Sequence, residues 1–152
     1  MKLDKDKKIL IVGLGVMGGS YAKVLKRFGF HISAITLEQS SIDYAIKENI
    51  IDEGSVSLDE RMIGDADLVI FALYPHVFVE WIEKNQAFLK SGALITDVTG
   101  VKGAVVTRVQ SILRTDGTMK VTTFDSPSNR HTASSRLKLK VKPVSESFIC
   151  RL

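Results

Sequence analysis

The stretch Ile9–Leu25, ILIVGLGVMGGSYAKVL, passes from a solid apolar run through Gly13, Gly15, Gly18 and Gly19 into a pattern with helical spacing. Glycine admits backbone angles closed to other residues and lets a second backbone or a ligand come close, at an entropic cost inside regular structure. Glycines packed this densely at one junction need a reason. The segments around them supply it.

Working outward, Lys8–Val12 is a short apolar run suited to a strand buried on both faces. Val16–Phe28 then places Tyr21, Val24, Leu25 and Phe28 at helical spacing, and Gly29 is a good helix stop. HISAIT, His31–Thr36, reads as a second strand. QSSIDYAIKEN reads as a helix with Ser40 or Ser41 as N-cap and Ile42, Ala45 and Ile46 on one face. DLVIFAL is a third apolar run, closed by Pro75, which opens a helix carrying Val77, Trp81 and Phe88. ALITDV is a fourth strand, and Val101–Leu113 completes the series as a helix. Strands alternating with helices of this size predict right-handed β-α-β units and a Rossmann-type, doubly wound parallel sheet of the α/β class, incomplete at its C-terminal side.

In that setting Gly13-Leu14-Gly15-Val16-Met17-Gly18 is a G-x-G-x-x-G directly after a strand and at the start of a helix, the context of the dinucleotide fingerprint. Gly13 is expected to permit the tight turn and Gly15 to admit the pyrophosphate. Gly18 is expected to let helix and strand pack closely, while the helix N-terminus offers N–H groups to the phosphates. An acid at the end of the second strand would take the ribose hydroxyls and repel a 2′-phosphate. Thr36 stands where that acid is expected, Glu38 follows, and no Arg or Lys lies within TLEQSS. The reading leans to NAD and leaves NADP open. Ala72-Leu73-Tyr74-Pro75 and Asp97 to Lys102, with Thr99 and Gly100, follow the carboxyl ends of two strands, the edge where open parallel sheets bind ligands. His76 starts a helix in a loop position and is expected to be solvated.

Composition narrows the class. At 152 residues, 45% hydrophobic and 25% charged, the chain suits one globular domain. The N-terminal MKLDKDKK, followed by only a short apolar run, matches neither a signal peptide nor a membrane span, so a cytoplasmic protein is expected. The lone Cys150 allows no internal disulfide and no cysteine-rich metal site, and no metal is expected. The net charge of +4 divides unevenly: residues 1–113 hold 13 basic and 14 acidic side chains, and residues 114–152 hold 8 and 3. A basic excess confined to one end, with no aromatics interleaved beyond Phe124 and Phe148, argues against nucleic acid as a partner.

The segments GLGVMGGSYAKVLKRFGF, IIDEG, DLVIFALYP and above all ITDVTGVKG resemble the nucleotide-binding domain of the prephenate dehydrogenase family over about residues 7–114. The resemblance implies NAD-dependent oxidative decarboxylation of prephenate to 4-hydroxyphenylpyruvate in tyrosine biosynthesis, by a complete enzyme that is a homodimer. It also places Ala72, Leu73, Tyr74, Pro75, Asp97, Thr99, Gly100 and Lys102 with Gly13–Gly18, Thr36 and Glu38 at the cofactor. The family usually has serine where this chain has Gly100, with Thr99 as a substitute.

Past residue 114 the resemblance stops. The family's next strand leads to a His-Pro whose histidine takes the proton from the substrate hydroxyl, general-base work suited to imidazole. No His-Pro occurs here; the stretch at that distance is TMKVTTFDSPSN, and His131 stands in NRHTASS. The expectation is therefore a dinucleotide-binding domain at 1–114 and an unmatched basic tail at 115–152, foreign as a frameshift or truncated gene model would make it, or partly disordered. LKLKVKP within it alternates like a strand with a basic face. The catalytic residues are left unassigned. The alternative function is an NAD-binding module without prephenate chemistry.

Overall fold

The run KILIV forms strand β1 (Lys8–Val12), buried at every residue after the first. The computed structural model describes residues 4–98, 102–113, 120–125 and 149–151. In chain order β1 is followed by α1 (Val16–Arg27), β2 (His31–Ile35), α2 (Gln39–Lys47), β3 (Glu53–Ser55), α3 (Glu60–Asp65), β4 (Leu68–Phe71) and α4 (Pro75–Asn85). A 3-10 turn (Gln86–Phe88), β5 (Leu94–Asp97), α5 (Lys102–Ile112), β6 (Lys120–Asp125) and β7 (Ile149–Arg151) complete it. The strands lie in the order β3-β2-β1-β4-β5-β6-β7, and every pairing is parallel. The Rossmann-type sheet expected from the alternation is thus present. Strands β6 and β7 add to its edge from beyond residue 114.

Alternation within β1 explains the two-sided winding. Ile9 and Ile11 join Ala22, Leu25, Ile32, Ile42 and Ile70 in a core under α1 and α2. Leu10 and Val12 join Met62, Val69, Phe71, Phe78, Ile82 and Val109 in a core under α3, α4 and α5. Burial of one such Leu, Ile or Phe side chain is worth about 1.5–3 kcal/mol. Both faces must therefore be covered, and helices cover them.

Several local expectations change. On α1 Leu25 is buried and Tyr21 packs against the core as the spacing predicts, together with Gly18 and Ala22, while Val24 and Phe28 are exposed. The N-cap of α2 is Glu38, which places Ser40 and Ser41 inside the helix, and Ile46 faces solvent while Ile42 and Ala45 are buried. On α4 the buried face is Phe78 and Ile82, one position round from the expected Val77 and Trp81. The elements β3 and α3 were not expected, since EGS carries no apolar run and ERMIGD is a single capped stretch, with Asp59 accepting from the Met62 N–H at 3.0 Å. Gly29 stops α1 as expected, at φ 85°. The LKLKVKP strand and His131 lie outside the described residues.

The amino edge of the sheet is sutured by charge. Asp67 accepts from the Lys8 backbone N–H at 3.1 Å and from Lys90 Nζ at 2.7 Å, and Lys7 Nζ lies 3.7 Å away. Asp52 accepts from the Ile32 N–H at 2.8 Å and is paired with Lys26. Partial burial works to raise both carboxyls, yet these partners together hold each below its ordinary value. Among the described residues no helix is long and apolar enough to cross a membrane.

Candidate functional site

At the opposite, carboxyl edge, the ends of the central strands are tied in sequence. The Gly13 N–H donates to the Ile35 carbonyl at 2.8 Å, Ala72 to Val12 at 2.9 Å and Val98 to Phe71 at 3.1 Å. This edge contains the topological switch: from β1 the chain winds one way to β2 and β3, and from β4 the other way to β5. Open α/β sheets hold ligands in the crevice this reversal leaves.

The glycine loop forms the floor of that crevice. Gly13 has φ 98°, and a Cβ there would meet the Ala72 carbonyl oxygen at 2.6 Å. A Cβ on Gly18 would meet the Gly13 carbonyl oxygen at 1.8 Å. Gly15 differs, because a Cβ there would have nothing within 4 Å. Gly13 and Gly18 are thus needed by the fold itself, whereas the space over Gly15 is left open by it.

Gly15 is also the N-cap of α1, which has no side-chain cap and no acid in its first turn. The first N–H groups of a helix lack intrahelical partners, and the helix dipole adds positive potential there. This end of α1 is therefore electrostatically and sterically fit for an anion such as a pyrophosphate.

A cleft of about 530 Å³ opens beside the loop, lined by Gly13, Leu14 and Gly15, by Thr36 and Glu38 at the end of β2, and by Leu73, Tyr74, Val77 and Trp81. Its size is that of a small-molecule site. Glu38 is exposed, and its Oε2 accepts from the Ser41 hydroxyl at 3.3 Å. The Thr36 N–H donates to the Ser55 carbonyl at 3.1 Å, so β3 fixes the end of β2. Tyr74 is 76% exposed at the rim, where its ring stacks with His76 at 6.3 Å between centroids.

Of the residues expected at the site, Gly13, Leu14, Gly15, Thr36, Glu38, Leu73 and Tyr74 line this one cleft. Val16 lines a smaller groove between α1 and α2, Gly18 is buried beneath the loop, and Met17 is half-exposed on α1. Ala72 supports Gly13 from below, and Pro75 opens α4. Asp97 is fully buried at the end of β5, opposite Phe71, and Lys102 begins α5. Thr99 and Gly100 lie outside the described residues. Sequence reasoning missed Trp81 and Val77 as cleft residues. Their i,i+4 spacing marks one face of a helix without saying what that face meets.

Comparison with known proteins agrees with this geometry. The family described as prephenate dehydrogenase, nucleotide-binding domain, matches residues 21–123. The prephenate dehydrogenase of Lactococcus lactis subsp. cremoris is 31% identical over 101 residues, 66% of this chain and 28% of that protein. The crystal structure of prephenate dehydrogenase from A. aeolicus, in complex with hydroxyphenyl propionate and NAD+, is similar with a TM-score of 0.66 at 34% identity, covering 78% of this chain and 41% of that one. Synechocystis arogenate dehydrogenase gives a TM-score of 0.64 at 28% identity, over 69% and 37%. The chain spans less than half the length of these relatives.

Proposed function

The chain belongs to the prephenate dehydrogenase family through its nucleotide-binding domain, and from that premise we propose that it binds NAD as the cofactor half of an enzyme that oxidatively decarboxylates prephenate. The observation that carries the reading is the open space over Gly15 at an uncapped helix N-terminus, beside a cleft of small-molecule-site size. The α1 N-terminus and the Gly13–Gly18 loop hold the pyrophosphate. Glu38, with Thr36, takes the ribose hydroxyls of the adenosine half and disfavours a 2′-phosphate. Ala72–Pro75, Asp97, Thr99, Gly100 and Lys102 border the nicotinamide.

When bound, NAD+ supplies the hydride acceptor: prephenate and NAD+ give 4-hydroxyphenylpyruvate, carbon dioxide and NADH, the step that feeds tyrosine formation. What the described residues contribute is placement. The carboxyl ends of β4 and β5 present the reacting face, and the sheet fixes their separation. The unit responsible is residues 1–114, whose sheet β6 extends from beyond that boundary, and the enzyme is cytoplasmic and homodimeric.

A second reading rests on a specific observation. The 152 residues contain no His-Pro and so offer no counterpart of the proton-accepting histidine. General acid–base catalysis contributes about 10²–10⁴-fold. The chain assayed alone is therefore an NAD-binding module with poor prephenate turnover. Calorimetry with NAD, followed by absorbance of NADH at saturating NAD and prephenate, tests both. Binding with little turnover is expected; turnover comparable with a full-length dehydrogenase removes the second reading, and no binding removes the first.

A further inference from the structure

The second glycine of the Gly18-Gly19 pair takes no part in the packing beneath the loop. A Cβ on Gly19 would come no nearer to anything outside its own helix than the Leu14 carbonyl oxygen at 4.0 Å. Glycine inside a helix is destabilising relative to alanine, and the packing gives no reason for it here. What Gly19 leaves open is a groove of about 370 Å³ between α1 and α2, which meets the cleft at Leu14, Gly15 and Ser41. Its apolar floor is Leu14, Ala45 and Ile50, continuous with the core under both helices. Lys23 stands on the α1 wall and Tyr44 on the α2 wall, and no acid lines the groove among the described residues.

The donors of this groove fall into two kinds. The Ser20 hydroxyl donates to the Val16 carbonyl at 2.7 Å and the Ser41 hydroxyl to Glu38 Oε2 at 3.3 Å, so both serine protons are committed. Lys23 and Tyr44 have no hydrogen-bond or ionic partner among the described residues, whereas Lys8, Lys26 and Lys90 each face a carboxylate. An ammonium and a phenolic O–H above an aliphatic floor match an amphipathic carboxylate, with two oxygens for two donors and hydrocarbon for the floor. A phosphate would bring more oxygens than the walls have donors. We infer that the α1–α2 groove is a second small-molecule site, for a short aliphatic carboxylate whose chain lies on Leu14, Ala45 and Ile50 and whose oxygens meet Lys23 and Tyr44. Lys23, Tyr44, Ala45 and Ile50 do not line the proposed NAD cleft, so the groove stands whether or not NAD binds.

Titration of the unmodified chain with hexanoate, butanoate and the neutral hexanamide, followed by backbone amide shifts in proton–nitrogen correlation spectra, is the test. Hexanoate is expected to give saturable shifts concentrated at Gly19, Ser20, Lys23, Tyr44 and Ala45. Affinity is expected to fall by up to about 4-fold for each methylene removed on going to butanoate. Lys23→Gln is expected to weaken hexanoate by roughly 1.5- to 5-fold, to the level of hexanamide, as suits an exposed cation. Gly19→Leu places a better helix former in open space, so it is expected to keep or raise the melting temperature and to abolish the shifts. No saturable shift, equal binding of hexanoate and hexanamide by the unmodified chain, or shifts centred on Thr36 and Leu73 in the cleft overturns the inference. So does a folded Gly19→Leu that binds hexanoate as the unmodified chain does. Should Gly19→Leu fail to fold, the comparison of hexanoate with hexanamide in the unmodified chain and in Lys23→Gln decides alone.

Discussion

Gly18 lies so close beneath Gly13 that a Cβ built on it would sit 1.8 Å from the Gly13 carbonyl oxygen. Backbone, not a flexible side chain, occupies that space, so helix α1 would have to leave the sheet to admit even a methyl group. Gly18→Ala is expected to destabilise by about 3 kcal/mol or more, at or beyond the upper end of overpacking costs. Gly13→Ala is expected to follow it, with φ 98° adding backbone strain to its own contact. Urea denaturation of the two variants checks this. A change below about 1 kcal/mol in Gly18→Ala, by the same standard, would mean that the helix yields more easily than its packing indicates.

Glu38 sets the second expectation. Its carboxylate is exposed at the cleft, and among the described residues no Arg or Lys lines that cleft. NAD is therefore expected to bind more tightly than NADP, and Glu38→Gln to narrow the gap by weakening NAD and easing repulsion of the 2′-phosphate. Lys7 offers no rescue, because it stands by Asp67 at the far edge of the sheet. Equal affinities for the two cofactors in the unmodified chain would assign ribose recognition to other residues.

Acid should weaken the fold in a defined direction. Beside Asp52 and Asp67, the Glu53 carboxyl is held below its ordinary value, chiefly by the hydrogen bond from Arg61 at 2.8 Å. A carboxyl whose folded pKa is depressed stabilises the fold above its unfolded pKa, about 3.9–4.3 for Asp and Glu, and loses that contribution as pH falls through the lower folded value. Melting temperature is expected to be nearly level from pH 7 to about 5 and to fall below about 4. Asp67→Asn, which keeps the shape but not the charge facing Lys90, should flatten the acid limb. Stability that rises on acidification would contradict the assignment of these groups.

Much of this architecture was legible in the sequence, for physical reasons. Parallel strands buried on both faces are short solid apolar runs, so KILIV and DLVIFAL stand out, and Gly29 and Pro75 mark where helices end and begin. Helix faces were less legible. On α1 the spacing of Tyr21, Val24, Leu25 and Phe28 is right for Leu25 and Tyr21, which pack inward, but not for Val24 and Phe28, which are exposed, because the sheet is also approached through Gly18 and Ala22, residues too small to register as apolar anchors. The strand EGS was hidden because β3 is a half-buried edge whose Gly54 is needed by Ile42: a Cβ there would meet the Ile42 Cγ2 at 2.8 Å. Trp81 was legible as a helix residue but not as a cleft residue, because periodicity cannot distinguish a core face from a face that lines a crevice.

The open position over Gly15 provides the most direct measurement. Its backbone is extended, with φ −70° and ψ −166°, and a Cβ there meets nothing within 4 Å, so a branched side chain is compatible with the fold and occupies only the space assigned to the pyrophosphate. Calorimetric titration of NAD into the unmodified chain and into Gly15→Val, each shown by its melting curve to be folded, separates binding from folding in one comparison. Saturable binding of NAD by the unmodified chain, lost in a Gly15→Val variant of nearly unchanged melting temperature, is the expected result. Equal NAD affinity in the two proteins, or no binding by the folded unmodified chain, would contradict the account.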